Sequence, residues 1–279
     1  MRLKYYVPEQ PRQVRLDTTT NCNAFCLSCH RFLKPARKGQ MPISMAKDIL
    51  KSIAGWSSPL QELVPVNHGE LFLYSRWAEL LALVDNILPN TRVVIPTNGS
   101  LFTRDVVLEL SRQKCVKLIN FSINAFLPET YKCFTGLPAT TPDLIREAAI
   151  LLIRIRPDIT LWFSMVYDPL YQSEMEKDLF IQEWRKLGTP QIIPASNCDR
   201  QKQEIEVSLP CRSLFSDLVI GFDGKISSCC FDARFWLDLG QLDGAVLSAW
   251  KSPKLEELRK LHNEGRRSEV NLCKRCSFA

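Results

Sequence analysis

The stretch around which the chain is organised reads NCNAFCLSCH, residues 21–30, and follows the run RLDTTT, residues 15–20. Its cysteines form a C-x3-C-x2-C spacing: Cys22, Cys26 and Cys29. Thiolates this close in sequence can converge on one soft metal centre, either an iron-sulfur cluster or zinc. A structural zinc site takes four protein ligands, so zinc would also need His30 or a distant cysteine. Unrelated buried cysteines are the third interpretation.

The composition is that of an ordinary globular protein. Of the 279 residues, 46% are apolar and 24% are charged, which is enough to build a substantial core. The sequence has no apolar run of about 18 residues and no signal-peptide pattern, so it predicts a cytoplasmic protein with no membrane partner. The 11 cysteines favour metal binding over a disulfide framework, because a reducing compartment keeps thiols free.

The net charge of +6 raises the question of nucleic acid. The basic residues are scattered, however, and do not form one run with interleaved aromatic residues, so we expect no nucleic-acid partner. The denser basic groups, residues 31–38 and the pair Arg266 and Arg267, are expected to be solvated surface. A phosphorylated or carboxylated substrate is compatible with this charge.

Short apolar runs alternate with amphipathic helical patterns along the first two thirds of the chain. The predicted strands are residues 14–18, 63–66, 92–95, 116–121, 160–166 and 191–193. The predicted helices between them are residues 44–53, with Ser44 as the cap, 77–87, 103–112, 143–154 and 174–187. This alternation indicates parallel strands joined by crossovers. It predicts an α/β fold, a partial (β/α)6 TIM-like barrel with function at the carboxyl ends of the strands.

The cysteine spacing after the first strand resembles the signature of the radical S-adenosylmethionine (radical SAM) enzymes. The resemblance implies a [4Fe-4S] cluster on Cys22, Cys26 and Cys29, with one open iron that binds SAM. It implies reductive cleavage of SAM to a 5′-deoxyadenosyl radical that abstracts hydrogen from a substrate, with an electron donor such as flavodoxin or ferredoxin. One departure is Ser28, where the family usually has an aromatic residue.

The resemblance extends to residues that follow the second and third strands. Gly69 and Glu70 resemble the end of the Gly-Gly-Glu motif that lines the SAM amino group, and His68 replaces the first glycine. Glycine permits close backbone approach, and a carboxylate can accept from an ammonium group. Asn98 lies in a Thr-Asn-Gly turn of the kind common in this superfamily. These residues are therefore expected to bind the cofactor.

Further cofactor contacts are implied on the fourth and fifth strands. Ser122 and Asn124 resemble the Ser-x-Asp segment that faces the SAM ribose, and strand alternation would place them on one face. Ser164 could reach the SAM carboxylate, although a strand serine can equally be a packing residue.

The last quarter of the chain carries a second set of cysteines. Its candidate ligands are Cys211, Cys229, Cys273 and Cys276. A predicted hairpin at residues 221–226 and a helix at 250–259 accompany them, and together they resemble the SPASM or Twitch domain that binds an auxiliary iron-sulfur cluster. Four cysteines suffice for one [4Fe-4S] cluster, hence two clusters in all, with Cys230 able to replace Cys229. Zinc stays open as the alternative metal for this set. The predicted domains are 1–195 and 196–279.

The remaining cysteines bear on the reaction. Cys115 is expected in the core, Cys198 is unassigned, and Cys133 and Cys230 are candidate hydrogen donors to a substrate radical. The favoured function is two-electron oxidation of a small sugar-like or cyclitol-like molecule, with the auxiliary cluster as electron acceptor. The alternatives are an epimerase, a maturase acting on a short peptide, and a non-catalytic zinc-binding module. The few residues before Cys22 leave no room for a leader-binding domain, which favours the small molecule.

Overall fold

The computed structural model describes residues 4–29, 38–195, 209–274 and 276–277. His30, Cys198 and most of the basic stretch 31–38 lie outside these ranges. Within the described ranges, no helix combines the length and apolarity needed to cross a lipid bilayer.

The described residues form one sheet of eight strands. The strands are β1 (Gln13–Asp17), β2 (Glu62–Val64), β3 (Arg92–Thr97), β4 (Val116–Ser122), β5 (Thr160–Tyr167), β6 (Thr189–Pro194), β7 (Asp217–Gly221) and β8 (Ile226–Ser227). Their order across the sheet is β6-β5-β4-β3-β2-β1-β7-β8, and every neighbouring pair is parallel except β7 and β8. The predicted six parallel strands and the α/β fold class are therefore confirmed.

Helices connect these strands. They are α1 (Ile43–Ala54), α2 (Trp77–Ile87), α3 (Arg104–Ser111), α4 (Pro128–Thr135), α5 (Thr141–Ile155), α6 (Glu174–Trp184), α7 (Val246–Trp250) and α8 (Pro253–Asn263). The prediction of Ser44 as the cap of α1 is wrong. The cap position is Pro42, which makes no side-chain cap, and Ser44 lies inside the first turn. The helix predicted at residues 250–259 is divided between α7 and α8, because Pro253 begins a new helix.

The two faces of the sheet differ in polarity. On one face, Leu16, Ile119 and Phe163 alternate into the hydrophobic core against the helices. Aromatic rings connect this core, with Phe163 stacked on Trp184 at 4.6 Å between ring centroids. The opposite face, called here the interior face, carries Arg15, Asp17, Asn120, Ser122 and Ser164, which alternate with those core residues. The concave side of the partial barrel is therefore lined by polar groups.

The C-terminal hairpin extends the sheet of the barrel. β7 pairs with β1 along five residues, from Gln13 opposite Asp217 to Asp17 opposite Gly221. The predicted turn at 221–226 is confirmed, with Gly224 at φ 82° and its N–H donating to the Gly221 carbonyl at 2.8 Å. The boundary predicted at 195/196 falls where the described residues are interrupted. That division stays a prediction.

Candidate active site at the carboxyl ends of the strands

The cysteine loop, residues 21–29, leaves the carboxyl end of β1 with its three thiols half-buried. Two of its backbone N–H groups donate to carbonyls at the end of α4: Phe25 to Thr135 at 2.7 Å and Leu27 to Phe134 at 2.8 Å. α4 ends at Gly136, whose φ of 70° favours glycine. The sequence did not predict α4, which therefore supplies a support for the cysteine loop that sequence reasoning missed.

The loop after β2 packs directly against the cysteine loop. A Cβ atom on Gly69 would lie 2.0 Å from the carbonyl oxygen of Thr19, so the residue must be glycine for this approach. The next residue, Glu70, donates its backbone N–H to the Asn21 carbonyl at 2.7 Å. The predicted pair of Gly69 and Glu70 therefore lies beside the first predicted cluster.

Glu70 and Asn98 meet in one buried hydrogen-bond network. The Glu70 carboxylate accepts from the Thr97 hydroxyl and from the Asn98 backbone N–H, both at 2.8 Å. The Asn98 amide in turn donates to Asn23 Oδ1 at 3.0 Å and lies 3.8 Å from Cys22 Sγ. Burial raises the pKa of Glu70 to about 7, although these hydrogen bonds lower it. The network ties the ends of β2 and β3 to the cysteine loop.

Ser122 and Ser164 lie opposite each other in the register of β4 and β5, on the interior face. Ser164 is buried, and its hydroxyl donates to Asn120 Oδ1 at 2.5 Å. The prediction that Asn124 shares a strand face with Ser122 is wrong, because β4 ends at Ser122 and Asn124 has φ 66°. Asparagine tolerates this left-handed conformation, and the Oδ1 of Asn124 accepts the backbone N–H of Val166 at 3.1 Å.

His68 connects the barrel to the C-terminal segment. Its backbone N–H donates to Asp17 Oδ1 at 2.9 Å, and its Nδ1 lies 3.1 Å from Asp17 Oδ2. Its Nε2 lies 3.0 Å from the Cys230 carbonyl oxygen. The Asp17 and His68 side chains are only 2% and 8% exposed, so the contacts are shielded from solvent. The sequence offered one signal, a histidine in place of a motif glycine, but not these partners.

The second cysteine set includes Cys230, whose carbonyl oxygen makes this contact. The auxiliary cysteines are Cys211, Cys229, Cys230, Cys273 and Cys276, all buried or half-buried. The pKa of Cys273 is raised to about 12, mainly by burial and in smaller part by the neighbouring thiols of Cys211 and Cys276. Burial likewise raises the pKa of Cys229 well above its ordinary value, with Cys230 and Cys273 adding to the effect. These thiols therefore lie within electrostatic reach of one another.

Two basic side chains pack around the auxiliary cysteines. Arg267 is 2% exposed and donates to the carbonyl oxygens of Leu209 and Cys276, at 3.0 and 3.2 Å. The expectation that Arg267 belongs to the solvated surface is therefore wrong, whereas Arg266 is exposed and paired with acidic residues. His262 Nδ1 accepts the backbone N–H of Cys211 at 3.1 Å, and burial lowers its pKa to about 4.

The residues present fit an iron-sulfur cluster by the chemistry of their donors. Soft thiolates are the ligands that such clusters take, and a bound metal reverses the cost of ionising a buried thiol. Burial raises the pKa of Cys211 and Cys273, and the positive charge of Arg267 opposes this increase and so favours the thiolate forms. Across the described residues, no three His, Cys, Asp or Glu side chains are arranged to hold a single metal ion.

Two further predicted cysteines are not candidate ligands. Cys133 is exposed on α4. Cys115 is 3% exposed in the core, as predicted, and burial raises its thiol pKa.

Comparison with known proteins agrees with this geometry. Residues 211–277 match the SPASM family, described as an iron-sulfur cluster-binding domain. A segment of 132 residues, 46% of this chain, is 27% identical to the AdoMet-dependent heme synthase of Methanosarcina barkeri (strain Fusaro / DSM 804). The match spans only 35% of that curated relative.

Solved structures share the fold across nearly the whole chain. The crystal structure of BtrN in complex with AdoMet and 2-DOIA has a TM-score of 0.64 at 14% identity, covering 99% of this chain and 94% of BtrN. The histidine-tagged form of anSMEcpe with bound AdoMet has a TM-score of 0.72 at 16% identity, covering 96% and 89%. Streptococcus suis SuiB bound to the precursor peptide SuiA has a TM-score of 0.68 at 15% identity, covering 97% and 70%.

The fold is the partial barrel that these solved structures share. Residues 211–277 form a SPASM-type iron-sulfur cluster-binding domain at the C-terminal end of the described chain. The family match makes an iron-sulfur cluster the cofactor of this C-terminal domain.

Proposed function

We propose that this protein is a radical SAM oxidoreductase that removes a carbon-bound hydrogen from a small sugar-like or cyclitol-like molecule and completes a two-electron oxidation. The cluster with SAM, when bound and reduced, supplies a 5′-deoxyadenosyl radical for the hydrogen abstraction. The auxiliary cysteines would hold a second cluster, which would accept the remaining electron while the substrate radical loses a proton. Flavodoxin or ferredoxin is the proposed electron donor.

The residues of the first site have separate tasks in this proposal. Cys22, Cys26 and Cys29 hold the first cluster and leave one iron without a protein ligand. Gly69 allows the loop after β2 to approach the cysteine loop closely, because a Cβ atom at this position has no room. Glu70 and Asn98 position that loop through their shared network and contact the amino acid part of SAM.

The strand ends hold the rest of SAM. Ser122 and Ser164 present hydroxyl groups on the interior face, within one register pair. Asn124 fixes the chain where β4 ends, since its amide oxygen holds β5. We propose that these three residues lie along the ribose and carboxylate of SAM.

The observation that carries the oxidation is the contact between His68 and Cys230. Because the Cys230 carbonyl oxygen lies 3.0 Å from His68 Nε2, the auxiliary cysteines adjoin the same strand ends as the cysteine loop. A substrate on the interior face would therefore lie between two predicted clusters. Cys211, Cys229, Cys273 and Cys276 are the proposed ligands of the second one, and Cys230 is the fifth thiol.

That fifth thiol favours a second candidate function, an epimerase in which Cys230 returns a hydrogen atom to the substrate radical. Arg15 lies on β1 and Asp217 lies on β7. Both are close enough to Cys230 for their charges to shift the pKa of its thiol. Cys133 is the other proposed donor, but it is exposed on α4. A short peptide is the alternative substrate class for either reaction.

The stoichiometry of SAM consumption tests the oxidation. After anaerobic reconstitution we expect about eight iron atoms per chain, as for two cubane clusters. Oxidation requires one SAM consumed per product, whereas solvent deuterium in the product would instead favour epimerisation. Full epimerase activity in Cys133→Ala together with Cys230→Ala would exclude both cysteine donors.

Removal of the first ligand set tests the centre itself. Replacing Cys22, Cys26 and Cys29 by alanine should abolish formation of 5′-deoxyadenosine while the iron on the auxiliary cysteines is retained. Persistent 5′-deoxyadenosine formation would refute the assignment of the first cluster. A colourless protein with stoichiometric zinc would refute both functions.

A further inference from the structure

Arg15, a cation on the interior face, makes no hydrogen bond to another described residue. Arg15 lies in the middle of β1 and its side chain is 23% exposed, so the guanidinium is reachable from the concave side. Its Nε is buried and makes no hydrogen bond. Arg15 forms a long ion pair with Asp217, whose Oδ2 is 4.0 Å from that Nε, beyond hydrogen-bond distance.

The surroundings of Arg15 do not satisfy it. Its register partners on the neighbouring strands are Val64 and Val219, which have no polar side-chain atoms. The next interior residue, Asp17, is already engaged, because one oxygen accepts from the His68 backbone and the other lies 3.1 Å from Nδ1 of the same residue. Within the part of the chain that the structure describes, the N–H donors of the Arg15 guanidinium are therefore available to a ligand.

A guanidinium presents five N–H donors in a planar fork that matches two oxygens of a carboxylate or a phosphate. A buried donor without an acceptor is unfavourable, so a ligand that supplies oxygen atoms is stabilised there. Arg15 also lies close enough to Cys230 for its charge to act on that thiol. Burial raises the pKa of the thiol to about 11, and the positive charge of Arg15 opposes the increase. A group bound at Arg15 would thus lie near the C-terminal cysteines as well as on the interior face.

We propose that Arg15 binds an oxyanion of the substrate, a carboxylate or a phosphate, on the interior face. The inference rests on the proposed function, and it narrows the substrate from a neutral sugar to an acidic one, either a sugar acid or a sugar phosphate.

Trifluoroacetate serves as the anionic probe, observed by 19F NMR on the reconstituted holoenzyme. Line broadening in the oxidised protein measures binding, and the added relaxation after dithionite reduction reports proximity to paramagnetic iron. Both effects should occur in the wild type and fall at least tenfold in Arg15→Gln. Displacement of the probe by inorganic phosphate at lower concentration than by acetate assigns a phosphate ligand, and the opposite order a carboxylate; both support an oxyanion site.

Two variants separate this role from a structural one. Asp217→Asn removes the carboxylate nearest to Arg15 and should keep or strengthen probe binding. Arg104→Gln makes the same charge change at an exposed residue of α3 and should bind the probe like the wild type. Equal losses in Arg15→Gln and Asp217→Asn, or no loss in Arg15→Gln, would overturn the proposal.

Arg15→Lys covers the case in which Arg15→Gln does not fold. Lysine keeps the charge near Asp217 but lacks the planar fork, so probe binding should fall several-fold. Unchanged binding in Arg15→Lys would then count against the site. Failure of the proposed function is read separately, from iron content and SAM cleavage of the wild type, because line broadening of the probe needs neither cluster nor turnover.

Discussion

Glu70 makes the stability of the protein depend on pH. Its carboxyl is 1% exposed, and burial raises its pKa to about 7 from an ordinary value near 4.3. The folded state therefore holds this proton after the unfolded state has lost it. The stabilisation is complete below about pH 4, falls by about 1.4 kcal/mol per pH unit up to pH 7, and is lost above that, about 3 to 4 kcal/mol in all.

Glu70→Gln should remove this dependence, because glutamine has the shape of the protonated carboxyl and does not ionise. The measurement is denaturant unfolding of the cluster-free protein between pH 4.5 and pH 8, with the free energy of unfolding of the variant subtracted from that of the wild type. Glu147→Gln, at an exposed residue of α5, should keep the wild-type slope. Parallel pH profiles for wild type and Glu70→Gln would contradict the buried carboxyl.

Gly69 is a residue on which cluster assembly depends. A Cβ atom there would lie 2.0 Å from the Thr19 carbonyl oxygen, which is backbone and cannot turn aside. Gly69→Ala should separate the two loops, lower the free energy of unfolding by about 1–3 kcal/mol and reduce the iron bound by the cysteine loop. Gly244→Ala is the matched control, since a Cβ atom at Gly244 meets nothing within 4 Å. Equal iron content in the two variants would show that the cysteine loop binds iron without the close approach of Gly69 to Thr19.

Among the elements, the loop after β2 is joined to the C-terminal segment by His68. Replacing His68 by alanine leaves one Asp17 oxygen and the Cys230 carbonyl without this partner, inside a nearly solvent-free contact. We expect a loss of about 1–3 kcal/mol of unfolding free energy. In a double-mutant cycle, Asp17→Asn and His68→Ala should be non-additive, with a coupling of at least about 1 kcal/mol. Additive losses, measured by denaturant unfolding, would mean that the two side chains act independently.

At the same scale, the sequence predicted the strands and long helices because their signal is local. The apolar period that marks α2 is complete within the helix, and its bounds, Trp77–Ile87, were predicted without error. α4 was missed because its cap position, Leu127, gives no side-chain capping signal, whereas α3, of the same length, begins at the capping residue Thr103. Asn124 was misplaced because strand alternation does not show where a strand ends, and its side chain bonds to Val166, a residue of another strand. The features that the sequence did not predict depend on contacts between elements.

In the whole molecule, the same limit applies to the two cysteine sets. Their spacings predicted two metal sites, and the family match over residues 211–277 supports the second of them. The spacings did not predict that β7 lies beside β1 and brings Cys230 to His68. Strand neighbours depend on long-range pairing, and the partners of His68 are 51 residues before it and 162 residues after it. Likewise, the role of Arg15 could not be predicted from its position before the cysteine motif, because that role depends on the strands beside β1.

The continuous sheet predicts that residues 1–195 do not fold alone. Removing the rest would expose the β1 edge and the core packing of Trp250, whose indole N–H donates to the Pro8 carbonyl at 3.0 Å. It would also remove Asn263, which exchanges two hydrogen bonds with the Tyr5 backbone. The fragment should therefore lack a cooperative thermal transition by circular dichroism and should bind a hydrophobic dye. Full-length protein with Cys273→Ala and Cys276→Ala keeps the β7 pairing, so it should retain its transition. A cooperative transition in the fragment would instead establish residues 1–195 as an independent domain.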